Sequence, residues 1–175
     1  MDSTTGAPIK LNVGCGHRRV PGFLGVDIVP RPNVDIVAPA DSIPLADGCA
    51  VEVMAIHVVE HFFSWEIPVI LKEWARLLRP GGRLTLELPD AWKAARNLVN
   101  GTVRPGKHPD QLSMWALYGD DTLRDPYMMH KSGWWFARLS PFVLAAGFVE
   151  VVERETIWHP AGRGIRDFRL EAVKA

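Results

Sequence analysis

Two groups of residues in this 175-residue chain have types and spacing that suit chemistry. One is the run His57-Val58-Val59-Glu60-His61, joined at a distance by His130. Imidazoles titrate near neutrality, with an ordinary pKa near about 6.5, so histidines beside a carboxylate suit proton transfer. The other is Val13-Gly14-Cys15-Gly16, followed by Asp27 at the end of the next apolar run. The two glycines let the backbone turn sharply and leave no side chain above it, so a flat ligand could lie against bare main chain. An ionised carboxylate carries acceptors only, and at a strand tip it suits both hydroxyls of a ribose. A dinucleotide fingerprint would need a third glycine, with its acid about 20 residues further on. Arg19 holds the third glycine's place and Asp27 comes too soon, so that class is disfavoured. The run His57-x-x-Glu60-His61 also matches an inverted zinc-hydrolase pattern, but that pattern needs a helix, and here an apolar strand leads straight into His57.

These residues need elements to position them. Ile9, Leu11 and Val13 form an apolar strand before the glycine turn, and a second strand ends on Asp27. Pro30 and Pro32 break the chain, 34–37 makes a short strand, and 50–56 makes a fourth that delivers His57. Ile67, Ile70, Leu71, Trp74, Leu77 and Leu78 recur at helical spacing, which predicts a helix over 64–78 with Ser64 as N-cap and Pro68 in the first turn. It stops at Arg79-Pro80-Gly81-Gly82. The fifth strand, 83–88, alternates Thr85 and Glu87 with leucines, so either one sheet face is thinly covered or Glu87 finds a polar partner near the site. Residues 90–131 read as an insertion, with helices over 90–100 and 111–118 and an acid-rich loop over 119–126. Long insertions of this kind serve as lids over sites. Trp92, Trp115, Tyr118 and Tyr127 could line a pocket there or pack as core, and Pro89-Asp90 lies on the acceptor side. A helix over 140–146 and strands over 148–153 and 165–173 close the chain.

Composition sets the outer bounds. The length fits one domain, 1–175, with residues 1–8 expected to be disordered. Twenty basic and twenty acidic residues give no net charge, so no overall basic field favours nucleic acid. No signal-peptide core and no long apolar run is present, so no membrane partner and a cytoplasmic location are expected. Cys15 and Cys49 are too few for a disulfide framework and read as reduced packing residues.

Four segments in order resemble the class I S-adenosylmethionine-dependent methyltransferases of the type 11 kind. They are the Leu11-Asn12-Val13-Gly14-Cys15-Gly16 turn, the 38–61 run, Arg79-Pro80-Gly81-Gly82 with its flanks, and Leu144-Ala145-Ala146-Gly147-Phe148. The resemblance implies an α/β, Rossmann-like sheet of seven strands in the order 3-2-1-4-5-7-6, the last antiparallel, with a first helix cut short. It implies S-adenosylmethionine as cofactor, held by Asn12, Gly14, Cys15, Gly16, Asp27 and Ile28, with Asp41, Ser42 and Ile43 at the adenine and His57 near the sulfur. Asn12 stands where many members carry an acid, and His17-Arg18 replace the third glycine. Pro39 holds the family's usual acidic slot, so Asp41 either reads the adenine or caps a turn. The 57–61 run with His130 is similar to the E-x-x-E-H pattern of small-RNA 2′-O-methyltransferases, which hold a divalent metal, and of ubiquinone-pathway O-methyltransferases. Histidine at position 57 removes a hard oxygen ligand, which disfavours magnesium and favours a softer metal or none; His57, Glu60, His61 and His130 are expected to converge on the acceptor, and no metal ligand is assigned. A small-molecule or saccharide acceptor is the implied substrate, and a methyltransferase-like module without catalysis is the alternative.

Overall fold

The computed structural model describes residues 8–158 and 164–175. Apart from Pro8, the segment expected to be disordered lies outside the described residues. Seven strands form a single sheet: β1 (Ile9–Val13), β2 (Leu24–Asp27), β3 (Ile36–Val37), β4 (Ala50–Ile56), β5 (Leu78–Pro89), β6 (Phe148–Arg154) and β7 (Asp167–Lys174). Their order is β3-β2-β1-β4-β5-β7-β6, as expected. Pairings are parallel from β3 to β5, and β7 runs antiparallel to both β5 and β6.

The register sorts the two sheet faces. Leu11, Val53, Leu84 and Ala172 lie side by side across four strands, and all are buried. Helix α1 (Ile67–Leu77) and helix α4 (Phe136–Ala145) cover this apolar face. Trp74 of α1 is fully buried, and its indole N–H donates to the Ala40 carbonyl at 2.9 Å. Burying each such side chain contributes about 1.5–3 kcal/mol. The neighbouring row, Asn12, Met54, Thr85 and Glu171, lies on the opposite face and is mostly polar. No α-helix follows β1, β2 or β3, which agrees with the shortened first helix and leaves this face to loops.

Several boundaries differ from the sequence-based expectations. Helix α1 starts at Ile67 rather than at Ser64, and Ser64 makes no cap. Strand β5 begins at Leu78, which pairs with Ala50 ahead of an irregularity, so the proline-glycine stop belongs to the strand. Helix α4 starts at Phe136, four residues early, with Pro141 inside it. Packing of Leu139 and Val143 against the core outweighs the missing proline N–H. Between β5 and α4 lie α2 (Ala91–Val99) and α3 (Met114–Tyr118), as expected.

Candidate functional site

The glycine turn follows β1. Gly14 and Gly16 have φ of 64° and 54°, in the left-handed region that glycine enters at little cost. A Cβ at Gly14 would come within 2.5 Å of Val58, so the chain behind the turn admits no side chain there, while at Gly16 nothing lies within 4 Å. Asp27 ends β2 beside the turn. Its Oδ2 accepts from the Gly16 amide at 2.8 Å and its Oδ1 from the Val29 amide at 2.9 Å. A carboxylate has about four lone-pair sites, so this anchoring fixes Asp27 and still leaves acceptors for a ligand's hydroxyls. Ile28, beyond it, is exposed.

The expected adenine side is less complete. The Ile43 amide donates to Glu73 at 2.8 Å, and the Ser42 amide to the Pro39 carbonyl at 3.3 Å. Asp41 is exposed, which leaves its carboxylate as the available group of the three.

A cavity of about 350 Å³ opens between the turn and β4, lined by Asn12, Gly14, Cys15, His17, Arg18 and His57 among others. Met128 and Trp158 wall its outer side, whereas Trp92, Trp115, Tyr118 and Tyr127 do not line it. Tyr118, Tyr127 and Trp92 are exposed, and Trp115 stacks on His108. Asp90, expected on the acceptor side, is buried and caps α2 through the Trp92 and Lys93 amides. Glu87 is fully buried and accepts from the Ile157 and Trp158 amides, both at 2.9 Å, which gives the polar residue in β5 its partner.

His57 follows β4 with φ of 55°, a conformation that costs about 1–3 kcal/mol and persists only where neighbours enforce it. Its Nδ1 lies 3.1 Å from Glu60 Oε1 and its Nε2 lies 3.7 Å from Asp167 Oδ2. Burial alone would lower the pKa of this ring. Asp167 and Glu60 together outweigh that and raise it to about 9, so His57 is an imidazolium. Burial likewise opposes ionisation of Glu60 and Asp167. His57 reverses this in both, aided by His61 and His130 at Glu60 and by Arg166 at Asp167, and holds both carboxyls well below the usual range.

Glu60 sits in a three-residue 3₁₀ turn, Val59–His61, too short to hold His57 and His61 on successive turns of a helix. The inserted segment docks here: the Lys131 and Ser132 amides both donate to the Glu60 carbonyl. His61 Nδ1 faces the Met129 carbonyl at 3.2 Å, and His130 Nδ1 faces the Ala116 carbonyl at 3.1 Å. A carbonyl can only accept, so each Nδ1 carries a proton and each Nε2 is turned away from that bond. His130 Nε2 lies 4.0 Å from Glu60 Oε1, and the two rings meet edge to face at 5.0 Å. Ligand atoms of Glu60, His61 and His130 all lie within 4.8 Å of one another, a set that could hold a metal ion. Burial lowers the His130 pKa, with Glu60 opposing, so its ring is neutral near pH 7.

The four expected catalytic residues thus form two adjoining units, one centred on His57 with Glu60 and one on the pair His61 and His130. Sequence inspection missed Asp167, Met128 and Trp158, which reach the site from β7, the insertion and the β6–β7 connection. Only Glu87 carried a signal, as a charge inside a strand.

Residues 11–86 match a family model described as a methyltransferase domain. No curated protein matches the sequence significantly. Among solved structures, a S-adenosylmethionine-dependent methyltransferase from Archaeoglobus fulgidus superposes with a TM-score of 0.64 at 18% identity, over 97% of this chain and 87% of that one. A Pyrococcus horikoshii protein gives 0.66 at 15% identity, over 99% and 84%. The Burkholderia thailandensis 1,6-didemethyltoxoflavin-N1-methyltransferase, solved with that compound and S-adenosylhomocysteine, gives 0.62 at 17% identity, over 97% and 72%. The sheet order, the domain match over residues 11–86 and these superpositions identify a class I methyltransferase fold, for which S-adenosylmethionine is the expected cofactor.

Proposed function

We propose that this protein transfers a methyl group from S-adenosylmethionine to a small-molecule or saccharide-type acceptor. The observation that carries it is a cavity of about 350 Å³ shared by the glycine turn and His57, with Asp27 bonded to the turn through the Gly16 amide and Glu60 lying 3.1 Å from His57. The cofactor, when bound, supplies an electrophilic methyl carbon. Gly14, Cys15 and Gly16 offer it bare backbone, Asp27 offers ribose acceptors, and Asn12 borders the same cavity. The protein's share of catalysis is then to orient the acceptor and to take its proton. His130, whose pKa burial lowers, suits that step, with His61 beside it as the other imidazole held through Nδ1 by a carbonyl. His57, clamped between two carboxylates that raise its pKa to about 9, is a poorer base near neutral pH and instead sets the position of Glu60. The small compound bound to the Burkholderia neighbour supports a small acceptor.

A second reading has its own observation. Glu60 is buried, its Oε2 meets no hydrogen-bond donor among the described residues, and two imidazoles face it. A divalent ion bound there would activate the acceptor hydroxyl in place of a histidine base. Label transfer from methyl-labelled cofactor to candidate acceptors tests the main reading, with His61→Ala and His130→Ala compared with wild type. Turnover should fall at least about a hundredfold in one of them, the scale of general-base catalysis. Full cofactor binding with no transfer to any acceptor would instead support the module without catalysis.

A further inference from the structure

Every amide of the glycine turn with an assigned partner is used within the protein. Cys15 N donates to Val26 O at 3.1 Å, Gly16 N to the Asp27 carboxylate at 2.8 Å, and Arg18 N to Cys15 O at 2.9 Å. No helix follows the turn, so no helix N-terminus stands ready for an anion, as one does in longer nucleotide-binding folds. Three amides of the turn are thus already engaged, and the cationic side chains of the lining are the charged groups an oxyanion seated in this cavity would meet. The lining includes His17, Arg18 and His57 and no carboxylate, although the chain as a whole carries equal numbers of acids and bases.

Arg18 stands out among the arginines near the turn. Arg19 pairs with Asp35 at 3.6 Å and Arg31 with Asp27 at 3.5 Å, but Arg18 makes no ion pair among the described residues. Its guanidinium instead lies 5.7 Å from the centre of the Trp158 ring, a cation–π contact that orients the head without neutralising it. Trp158 is placed there by Glu87, through the two backbone bonds at 2.9 Å.

We propose that Arg18 is a carboxylate-binding residue of the cavity, and that Trp158 and Glu87 are the positioning residues that hold its guanidinium in place. The ligand group is an oxyanion, with two sources: the carboxylate of the cofactor's own amino-acid end, or an anionic group on the acceptor. This rests on the cofactor reading above. It also accounts for His17-Arg18 standing where a third glycine would be: the turn gives up backbone donors and gains a side-chain one.

The test uses two probes that share the nucleoside thioether. S-adenosylhomocysteine has the amino-acid carboxylate, and 5′-methylthioadenosine lacks it. Calorimetric dissociation constants are measured for wild type, Arg18→Ala, Trp158→Phe, Trp158→Ala and Glu87→Gln, and inorganic phosphate is titrated onto both free and S-adenosylhomocysteine-loaded protein. Arg18 is exposed, so its replacement leaves the fold intact. Arg18→Ala should weaken S-adenosylhomocysteine at least about tenfold, the scale of a hydrogen bond to a charged group, and leave methylthioadenosine unchanged. Trp158→Ala and Glu87→Gln should lower the ratio of the two affinities in the same direction, whereas Trp158→Phe, which keeps an aromatic face, should retain it. A ratio unchanged in Arg18→Ala with phosphate binding to loaded protein lost assigns the residue to the acceptor. Equal losses for both nucleosides, or no change in either ratio or phosphate binding, overturn the proposal. A wild type that binds neither nucleoside refutes the cofactor reading, and phosphate titration of the free protein then decides the subsite alone.

Discussion

The charged state of His57 should be visible in the pH dependence of stability. Its pKa is raised from 6.5 to about 9 by Asp167 and Glu60 acting against burial. Each pH unit separating the folded and unfolded values corresponds to about 1.4 kcal/mol, so the clamp contributes about 3 kcal/mol, a sizeable part of the roughly 5–15 kcal/mol stability of an ordinary domain. A group with a raised folded-state pKa stabilises fully below its unfolded value. That stabilisation is lost as pH rises through the folded value. The window is therefore pH 6.5 to just above 9. Urea unfolding across that range, for wild type and for His57→Gln, measures it directly. Wild type should lose about 3 kcal/mol more than the variant, because glutamine has no proton to release. At acid pH the lowered carboxyls of Glu60 and Asp167 act in the opposite sense: their stabilisation is present above the ordinary values of 4.5 and 3.8 and fades as pH falls through the depressed ones. This is the same contact seen from its other side. Parallel losses in wild type and His57→Gln between pH 6.5 and about 9 would refute the clamp.

Asp41→Asn should weaken cofactor binding several-fold more than Ser42→Ala, since the Ser42 amide is already bonded while the Asp41 carboxylate is exposed; equal and negligible effects in calorimetry would return Asp41 to a turn residue. Removing divalent metal with a chelator should leave turnover unchanged if His61 or His130 is the base. A loss restored by zinc or cobalt, together with metal retained by wild type and lost in His130→Ala, would identify Glu60, His61 and His130 as a metal site.

Local features carried most of the fold. The strand before Gly14, the apolar stripe of α1 and the hairpin after Gly147 each follow from periodicity and turn residues within a few positions. The order of the sheet came from resemblance, and the register agrees with it. Errors fell where tertiary packing overrides local signals. The sequence places a helix over 140–146, yet α4 begins at Phe136 and passes through Pro141 because Leu139 and Val143 are buried in the core. Ser64 reads as a cap, yet the helix begins beyond it. In the site, Gly14, Gly16, Asp27 and the 57–61 run were legible because they are contiguous or lie at strand ends. Asp167 was not, since its contact with His57 spans most of the chain and exists only once β7 lies beside β5. The tryptophan at the cavity proved to be Trp158 rather than any of those in the insertion, because Glu87 holds the Ile157 and Trp158 amides at the end of β5.

Calorimetric titration of S-adenosylhomocysteine into wild type and Asp27→Ala tests the central claim most directly. The account predicts one site on wild type and a loss of about 1.5–3 kcal/mol in the variant, the value of hydrogen bonds to a charged group. Absence of binding to wild type, or binding that Asp27→Ala leaves unchanged in a folded protein, would contradict it.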